Sequence, residues 1–393
     1  MNNMNSQMHT PCPHTACGAC SMTALAYEKQ LEQKHRALIS LLGSYGEVLP
    51  PLGMTSPCHY RNKVTRTFAA GHENGRQTLL CGTYAASTRR VVPIDHCMIE
   101  DEGAQRILST LAQLCAQMKI PPFDPRTGRG VIRHAQIRAG QSTGEYLLTL
   151  VTGSAQFPGR GNLVTALRRA HPELTSVVHN VNGFDTGMIL GDEKRSGYEN
   201  RVLYGPGSIR DTLCGLTFRI SPQSFYQVNA RGTEILYGTA IRLADLRPTD
   251  TVLDAYCGIG TIGLSAAAHC RRVIGVEVNP DAVRDAIANA KHNHITNARF
   301  YRGDAGKFLT ETAECPDVLI MDPPRGGSDQ PFLDAVCRKK PKTVVYISCG
   351  PQSLARDLKT LTKVYRVKTI QPVDMFPMTE HCECIVLLSI KHN

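Results

Sequence analysis

The first half of the chain is patterned as one helix followed by many short strands. From about residue 60 to 205, apolar and polar positions alternate in short segments separated by Gly, Asn and Asp turns, for example 64–68, 131–137 and 146–151. Alternation with a period of two indicates half-buried strands, so this region predicts a mainly antiparallel sheet with one or two helices. Before it, residues 22–43 predict an amphipathic helix with leucines roughly on one face: Leu25, Leu31, Leu38, Leu41 and Leu42.

The pattern changes after about residue 215. Apolar strand-like runs now alternate with helical stretches, and the runs are 251–255, 273–276, 318–321 and 344–347. This is the pattern of a doubly wound α/β domain with a mostly parallel sheet. We therefore expect an α/β fold in which a central α+β region precedes the doubly wound domain. The boundaries that we assign are 1–20 together with Cys97, then 21–210, then 211–393.

The composition favours folded domains in a reducing compartment. The 393 residues suffice for two or three domains, and 42% of them are hydrophobic. The sequence contains no run of 18 or more apolar residues, so it predicts no membrane span. Residues 1–24 also lack the basic start and apolar stretch of a secretory signal. Fifteen cysteines in such a chain indicate metal ligands, nucleophiles or buried small side chains. We therefore expect a cytoplasmic protein without disulfides.

The net charge of +10 is concentrated in one stretch of the first half. From His59 to Arg138 there are 12 basic and 6 acidic residues. Such a density fits a surface that contacts nucleic-acid phosphates, although a solubilising face is the alternative. Nine members of the stretch are Arg61, Lys63, Arg66, Arg89, Arg90, Arg126, Arg129, Arg133 and Arg138.

The clearest local signal is segment 252–263, in which an apolar strand ends at Asp254 and a glycine-rich turn opens a helix. Glu277 ends the next strand about 20 residues later, where a carboxylate can bind ribose hydroxyls. This architecture serves dinucleotides and S-adenosylmethionine alike, but residues 254–257 before the turn are typical of class I methyltransferases. The glycines also fit the dinucleotide pattern G-x-G-x-x-G: Gly258, Gly260 and Gly263.

Three further strand ends favour a methyltransferase. Asn279 follows the second strand, Asp304 the third and Asp322 the fourth. Two prolines and Arg325 follow Asp322, which places a carboxylate and a rigid backbone in the crevice. Enzymes that methylate exocyclic amines carry an aromatic residue where Arg325 stands, so that chemistry is disfavoured. A dinucleotide enzyme and a binding domain that has lost its chemistry remain alternatives.

A cysteine and a carboxylate mark a candidate reaction centre. Cys349 follows a fifth strand, and a helix from about Gln352 predicts a lowered pKa for this thiol at the mouth of the crevice. Glu383 begins a C-terminal apolar strand, where a charge is costly unless it has a purpose. The alternatives are a buried small side chain for Cys349 and a water-facing carboxylate for Glu383. Glu380 and His381 are rival bases.

Cysteines near the N-terminus form a second candidate site. Cys12, Cys17 and Cys20 are spaced C-x4-C-x2-C, and Cys97 is a fourth candidate ligand. Four thiolates hold either a [4Fe–4S] cluster or a structural zinc, and the spacing alone does not decide between them. His14 is a reserve ligand in place of Cys12. The spacing does not fit the C-x3-C-x2-C motif of radical enzymes.

Together these segments resemble the RNA uracil-5-methyltransferases that modify ribosomal and transfer RNA. The resemblance covers most of the chain, and its motifs are highly specific as a set. They lie at residues 59–64, 218–229, 254–260, 322–325, 348–349 and 374–383.

The resemblance implies a mechanism and roles for individual residues. Cys349 would add to C6 of uracil so that C5 attacks the methyl group of S-adenosylmethionine, and Glu383 would remove the C5 proton. Asp322 would lie against the target base, and Arg325 would steady its developing negative oxygen. The target uridine must be unpaired or flipped out. The implied cofactor contacts are Gln227, Tyr256, Glu277, Asp304 and Asp322.

The resemblance also bears on the cysteines and on the RNA. Similar family members carry a [4Fe–4S] cluster, so we expect one at Cys12, Cys17, Cys20 and Cys97, with a structural or RNA-positioning role. Only 11 residues precede Cys12, so we expect no N-terminal β-barrel domain, which favours the 23S ribosomal RNA enzymes. We predict a monomer that methylates 23S rRNA and has no DNA or membrane partner. A tRNA uracil methyltransferase and a non-catalytic RNA-binding or assembly factor are the alternatives.

Overall fold

The computed structural model describes residues 12–73, 76–185, 187–312 and 315–391. Within these residues the strands form two seven-stranded sheets and a separate two-stranded hairpin. No helix of the described residues is long and apolar enough to cross a membrane.

The first sheet has the strand order β3-β2-β1-β4-β5-β6-β7, and all its neighbours are antiparallel except β5 and β6. Helices α2 and α3 pack on one face of the sheet through a shared apolar core. This confirms the predicted mainly antiparallel region. Its elements, with the preceding helix, are α1 (Tyr27–Leu42), β1 (Lys63–Glu73), β2 (Arg76–Tyr84), β3 (Val91–Pro93), α2 (Glu102–Gln117), β4 (Ile132–Gly140), β5 (Glu145–Thr152), α3 (Arg160–Ala170), β6 (Leu174–Val181), α4 (Glu193–Ser196) and β7 (Arg201–Tyr204).

The second sheet has the order β12-β11-β10-β13-β14-β16-β15. Its first five strands are parallel, and β16 pairs antiparallel with both β14 and β15. This confirms the predicted doubly wound domain. After the hairpin β8 (Ile209–Leu213) and β9 (Leu216–Ile220), its elements are α5 (Ala230–Ala244), β10 (Thr251–Ala255), α6 (Thr261–Ala266), β11 (Arg272–Glu277), α7 (Pro280–His292), β12 (Ala298–Arg302), α8 (Ala305–Glu311), β13 (Val318–Met321), α9 (Gln330–Lys339), β14 (Thr343–Ser348), α10 (Pro351–Leu361), β15 (Tyr365–Val373) and β16 (Glu383–Ile390).

Helix α1 differs from its prediction in both its start and its buried face. It begins at Tyr27, so Leu25 lies outside it and is exposed. Its buried positions follow a spacing of three and four residues but include two polar side chains: Tyr27, Gln30, Lys34, Leu38 and Leu42. Leu38 and Leu42 pack in the core of the second sheet, although our sequence boundary assigned them to the central region.

The basic stretch is only partly a surface. Arg66 is buried and forms an ion pair with Glu100. Arg138 is buried and donates to the backbone oxygens of the 222–224 segment, and Arg133 is buried and donates to Asn182 O. The expectation of a phosphate-contacting surface is therefore wrong for these three arginines, because burial against internal acceptors removes them from any RNA.

Candidate active site

The carboxyl end of β10 forms an open, glycine-lined loop. Gly258 has φ +54°, and a Cβ atom there would meet nothing within 4 Å, so the backbone is accessible. Glu277 at the end of β11 accepts a hydrogen bond from Gly258 N at 3.1 Å. Asp254 is fully buried and accepts from Gly263 N at 2.9 Å, which fixes the start of α6. This end of the sheet is therefore shaped to receive a ligand at the strand termini.

Of the other predicted cofactor residues, Tyr256 and Asp304 follow β10 and β12 at this same end of the sheet. Tyr256 directly follows β10 and has a left-handed backbone, φ 65°, which is uncommon for a residue other than glycine. Its hydroxyl lies 3.4 Å from Ser328 Oγ. Asp304 caps α8 and is exposed. Gln227 is half-buried, and its backbone oxygen accepts from Asn62 of the first region at 3.0 Å.

The register of the second sheet brings Cys349 and Glu383 together. Strands β14 and β16 run antiparallel with Ser348 paired to Cys384. Continuing this register by one residue places Cys349 opposite Glu383, and paired residues in such strands have Cα atoms about 4.5–5.5 Å apart. Asp322 follows β13, which neighbours β14. A thiol and two carboxylates thus meet at one edge of the sheet.

Burial and mutual repulsion govern the ionisation of these three groups. Glu383 is 3% exposed, its Oε2 has no hydrogen-bond partner, and desolvation followed by repulsion from Asp322 raises its pKa. Desolvation also raises the pKa of Asp322. Both carboxyls are therefore weaker acids, and their carboxylate forms stronger bases, than ordinary carboxyl groups.

The thiol of Cys349 does not have the lowered pKa that its place before a helix predicts. Desolvation, then the charges of Glu383 and Asp322, raise its pKa to about 11, and Arg325 opposes the shift. The helix dipole lowers the pKa of this thiol by less than burial and the two nearby carboxylates raise it. This raised pKa favours the neutral thiol at neutral pH, so forming the thiolate requires proton transfer.

The two rival bases are placed differently from Glu383. Glu380 is exposed. His381 lies with its Nδ1 3.4 Å from Arg325 Nη2, and desolvation together with this guanidinium lowers its pKa. Only Glu383 combines deep burial with a position opposite Cys349, so the geometry favours it as the base.

One cavity joins the candidate reaction centre to the N-terminal cysteines. It has a volume of about 640 Å³ and is lined by Cys349, Arg325 and His381 on one side. Lys63 of β1 contributes to its wall. The predicted metal ligands line its other side, namely Cys12, Cys17, Cys20 and Cys97.

The four predicted ligand cysteines are close enough to interact. Burial and the charges of Cys97, Cys12 and Cys17 raise the pKa of Cys20 to about 12. Gln105 holds the Cys97 backbone through two hydrogen bonds, from Cys97 N at 2.7 Å and to Cys97 O at 2.8 Å. Yet within the described residues no group of three or more His, Cys, Asp or Glu side chains has the geometry to hold a metal ion. The thiols thus share a cavity wall without forming a compact single-ion site.

The residues that directly follow Cys20 are hydrogen-bonded to the loop that precedes Glu383. Ser21 N and Met22 N both donate to Met378 O, at 3.1 and 3.0 Å. Gln30 of α1 accepts from Met378 N at 2.8 Å. The predicted metal site and the predicted base therefore lie on segments that support each other.

Tyr237, a buried residue of α5, lies close to the candidate cofactor residues but was not predicted from the sequence. Its hydroxyl lies 3.2 Å from Thr261 Oγ1, at the start of α6. Burial and the charge of Asp322 raise the pKa of Tyr237, and the nearby Gln227 side chain partly opposes this shift. A tyrosine on an apolar helix face gives no local signal of such a role, since only the tertiary structure supplies its partners.

Comparisons with known proteins agree with this geometry. The family model described as tRNA (uracil-5-)-methyltransferase matches residues 209–314 and 309–391. An uncharacterised RNA methyltransferase of Halalkalibacterium halodurans is 37% identical, with 98% of this chain and 84% of that protein covered. One from Listeria monocytogenes serovar 1/2a is 38% identical, with the same two coverages.

A solved structure is similar over both sheets. The Pyrococcus abyssi tRNA (uracil-54, C5)-methyltransferase in complex with S-adenosyl-L-homocysteine superposes with a TM-score of 0.77 and 25% sequence identity. The match covers 95% of this chain and 86% of that one. The strand order, the glycine-rich loop and the extent of these similarities lead to one conclusion: the chain belongs to the RNA (uracil-5-)-methyltransferase family.

Proposed function

We propose that this protein transfers a methyl group from S-adenosylmethionine to C5 of a uridine in RNA. The single observation that carries the proposal is the register that sets Cys349 opposite the buried Glu383. Family membership supplies the class of reaction, and the paired thiol and carboxylate are the two groups that this class needs.

The cofactor would bind at the carboxyl ends of β10 and β11. The open backbone at Gly258 gives room for close approach, and Glu277 beside it is suited to ribose hydroxyls. Tyr256, Asp304 and Gln227 would complete its contacts. Bound S-adenosylmethionine supplies an electrophilic methyl group.

Cys349 would act as the nucleophile. C5 of uracil reacts poorly with electrophiles until a thiolate adds to C6, which forms a C6–S bond and turns C5 into an enolate-like carbon. Negative charge then develops on the uracil oxygen, and Arg325 lines the same cavity as Cys349. Asp322 would orient the base.

Glu383 would act as the general base after methylation. Removal of the C5 proton lets the electron pair of that C–H bond re-form the C5–C6 double bond, and the C6–S bond breaks to release Cys349. A raised pKa suits Glu383 to this task, because a base that is stronger than an ordinary carboxylate accepts the proton more readily.

For the RNA we propose 23S rRNA, bound by the central region of residues 21–210, with a [4Fe–4S] cluster at the four cysteines. Support comes from the shared cavity wall and the mutual interaction of these thiols. A cluster spreads its thiolates over several irons, so its ligands stand farther apart than those of a single zinc. When bound, the cluster would hold the 12–20 segment in place. All 15 cysteines are unpaired, in keeping with a cytoplasmic enzyme.

A second candidate substrate is tRNA. The observation that favours it is the overall similarity to a tRNA (uracil-54, C5)-methyltransferase. The same active-site chemistry would serve either RNA, so the two candidates differ only in what the enzyme recognises around the uridine.

The substrate test is methyl transfer to defined transcripts. The purified protein, S-adenosylmethionine with a labelled methyl group, and either a 23S rRNA or a tRNA transcript are incubated, and the product nucleosides are separated. We expect labelled 5-methyluridine in the 23S transcript. Label only in tRNA would assign the second candidate, and no label in any RNA would refute the proposed function.

The cluster is tested separately from activity. Protein purified without oxygen should contain iron and sulfide and absorb visible light, and Cys97→Ser should lower the iron content. Cys337→Ser, which changes a cysteine outside the cavity, is the matched control and should keep it. Zinc in place of iron, or no metal in either protein, would refute the cluster.

A further inference from the structure

An arginine-lined cavity lies at the outer edge of the first sheet, away from the candidate active site. It has a volume of about 600 Å³, within the range of about 300–1,000 Å³ for ligand sites. Three arginines line it: Arg160 at the start of α3, Arg168 farther along the same helix, and Arg201 at the start of β7. No acidic residue is among the lining residues.

The three guanidinium groups are available to a ligand. Within the described residues, the side chains of Arg160 and Arg201 have no hydrogen bond or ion pair. Arg168 is pre-oriented, because its guanidinium carbon stacks 3.6 Å from the centre of the Tyr204 ring. A planar guanidinium held in this way keeps its N–H donors free for the oxygens of an anion.

The backbone at the mouth of the cavity is open. A Cβ atom at Gly159 or at Gly161 would meet nothing within 4 Å, so neither position is filled by neighbouring side chains. The positive field is also felt by a neighbour, since desolvation followed by the charges of Arg160 and Arg201 lowers the pKa of His179 to about 4. Concentrated positive charge in an accessible concavity attracts polyanions.

We propose that this cavity binds backbone phosphates of the RNA substrate at a point remote from the target uridine. The inference rests on the proposed function for the identity of the polyanion. One guanidinium group can donate two parallel hydrogen bonds to the oxygens of one phosphate. Phosphate contacts position an RNA without reading its sequence.

The arginine-lined cavity is separated from the cavity lined by Cys349 both along the sheet and by the face of the sheet on which it lies. Strand β7 lies four strands away from β1, which contributes Lys63 to the wall of the catalytic cavity. At about 4.8 Å for each strand the separation is roughly 19 Å along the sheet. Helix α3 packs on the face of the sheet that carries Val64. Successive residues of a strand point to opposite faces, so Lys63, the neighbour of Val64 in the chain, lies on the other face. The phosphates bound here therefore belong to a folded RNA that extends around the β7 edge.

The test is the salt dependence of RNA binding by the full chain. The probe is a labelled 23S rRNA transcript, and the double variant Arg160→Ala/Arg201→Ala is compared with the unchanged protein. Each lost phosphate contact makes the slope of the logarithm of the binding constant against the logarithm of the salt concentration shallower by about 0.7–0.9. The slope for the double variant should therefore be shallower by about 1.4–1.8. We expect affinity at low salt to fall at least tenfold, with the KM for S-adenosylmethionine unchanged.

Two further variants separate charge at this site from charge in general. Arg160→Lys/Arg201→Lys keeps the charge and should keep most of the salt dependence. Arg366→Ala/Lys368→Ala removes two exposed charges from β15 and should leave binding unchanged. If the Arg160/Arg201 double variant binds with the same slope and affinity as the unchanged protein, the phosphate site is refuted.

The outcome is distinguishable from failure of the proposed function. A protein that methylates RNA normally but shows no change of slope in the double variant refutes only the phosphate site. A protein that methylates no RNA, yet loses slope in the double variant, refutes the proposed reaction and retains the site as a polyanion-binding surface.

Discussion

Lys34 Nζ lies 2.7 Å from Asp374 Oδ1, and both side chains are almost completely buried. Lys34 also donates to Phe376 O at 3.1 Å. Helix α1 is thereby fixed to the loop that leads to Glu383. The ion pair joins residues that are 340 positions apart in the chain.

Breaking this pair should destabilise the protein strongly. Lys34→Met would leave the Asp374 carboxylate buried without its cation, and the expected loss is about 3–5 kcal/mol of unfolding free energy. Urea denaturation measures it. Lys29→Met removes an exposed lysine of the same helix and should change stability by no more than about 1 kcal/mol. Equal losses in the two variants would show that the buried pair contributes nothing special.

Replacing the proposed nucleophile, Cys349, should stop the proposed reaction without unfolding the protein. Cys349→Ala removes only the thiol, so methyl transfer to RNA should become undetectable while S-adenosylmethionine still binds. Labelled methyl incorporation and cofactor titration measure the two effects. Cys337→Ala should retain activity, because this thiol lies on α9 outside the cavity. Transfer by Cys349→Ala at an appreciable rate would refute covalent catalysis.

Replacing the proposed general base, Glu383, should block a later step of the proposed reaction. Glu383→Gln cannot accept the C5 proton, so kcat should fall by about 10²–10⁴, and the RNA should remain bonded to Cys349. Denaturing gel electrophoresis detects such an adduct as a slowly migrating band. Glu380→Gln alters an exposed neighbour and is the matched control. An unchanged kcat in Glu383→Gln, or a loss of activity only in Glu380→Gln, would move the role to another residue.

The raised pKa of Glu383 also predicts a pH dependence of stability. Its folded-state pKa lies above the unfolded value of about 4.3, so the folded state binds more protons between these two values. The stability associated with this carboxyl is present below pH ~4 and is lost as pH rises through the raised pKa. In denaturation experiments, the stability of Glu383→Gln relative to the unchanged protein should therefore be greater at pH 9 than at pH 5. The same difference at both pH values would contradict a raised pKa.

The hydroxyl of Tyr237 should position cofactor-binding groups. Tyr237→Phe removes the contact to Thr261 and the hydroxyl beside Gln227, at a cost of about 1 kcal/mol, or a factor of about 5. We expect this factor in the KM for S-adenosylmethionine, with kcat nearly unchanged.

A second buried tyrosine provides the control for this variant. Tyr365 is fully buried in the same sheet domain, and its hydroxyl donates to Pro341 O at 3.1 Å. Tyr365→Phe should lower stability to a similar degree and leave the KM unchanged. A KM effect of the same size in both variants would reduce Tyr237 to a structural role.

Much of the second sheet could be predicted because its signals are local. The glycine-rich turn after Asp254 and the strand ends at Glu277 and Asp322 are short patterns whose backbone requirements are written in neighbouring residues. Glu383 at the start of an apolar strand was likewise visible, since an acidic residue there is costly in any fold.

Polar residues with distant partners could not be predicted in the same way. The periodicity of α1 correctly placed Leu38 on its buried face but gave no sign that Lys34 is buried too, because its partner Asp374 lies on another segment. Charge density alone likewise could not separate the buried Arg138 from the available Arg201. Whether a charge faces water or an internal acceptor depends on what packs over it.

The sequence by itself determined the class of fold and the glycine-rich loop that suits a cofactor, and it indicated Cys349 and Glu383 as the candidate thiol and carboxylate. Only the tertiary structure decided that Cys349 and Glu383 face each other, since this depends on β16 pairing beside β14 in one antiparallel register. It also decided the ionisation of Cys349, which burial and two carboxylates raise against the preference of the following helix. Local patterns fix backbone geometry, whereas proximity and desolvation arise only when distant segments pack together.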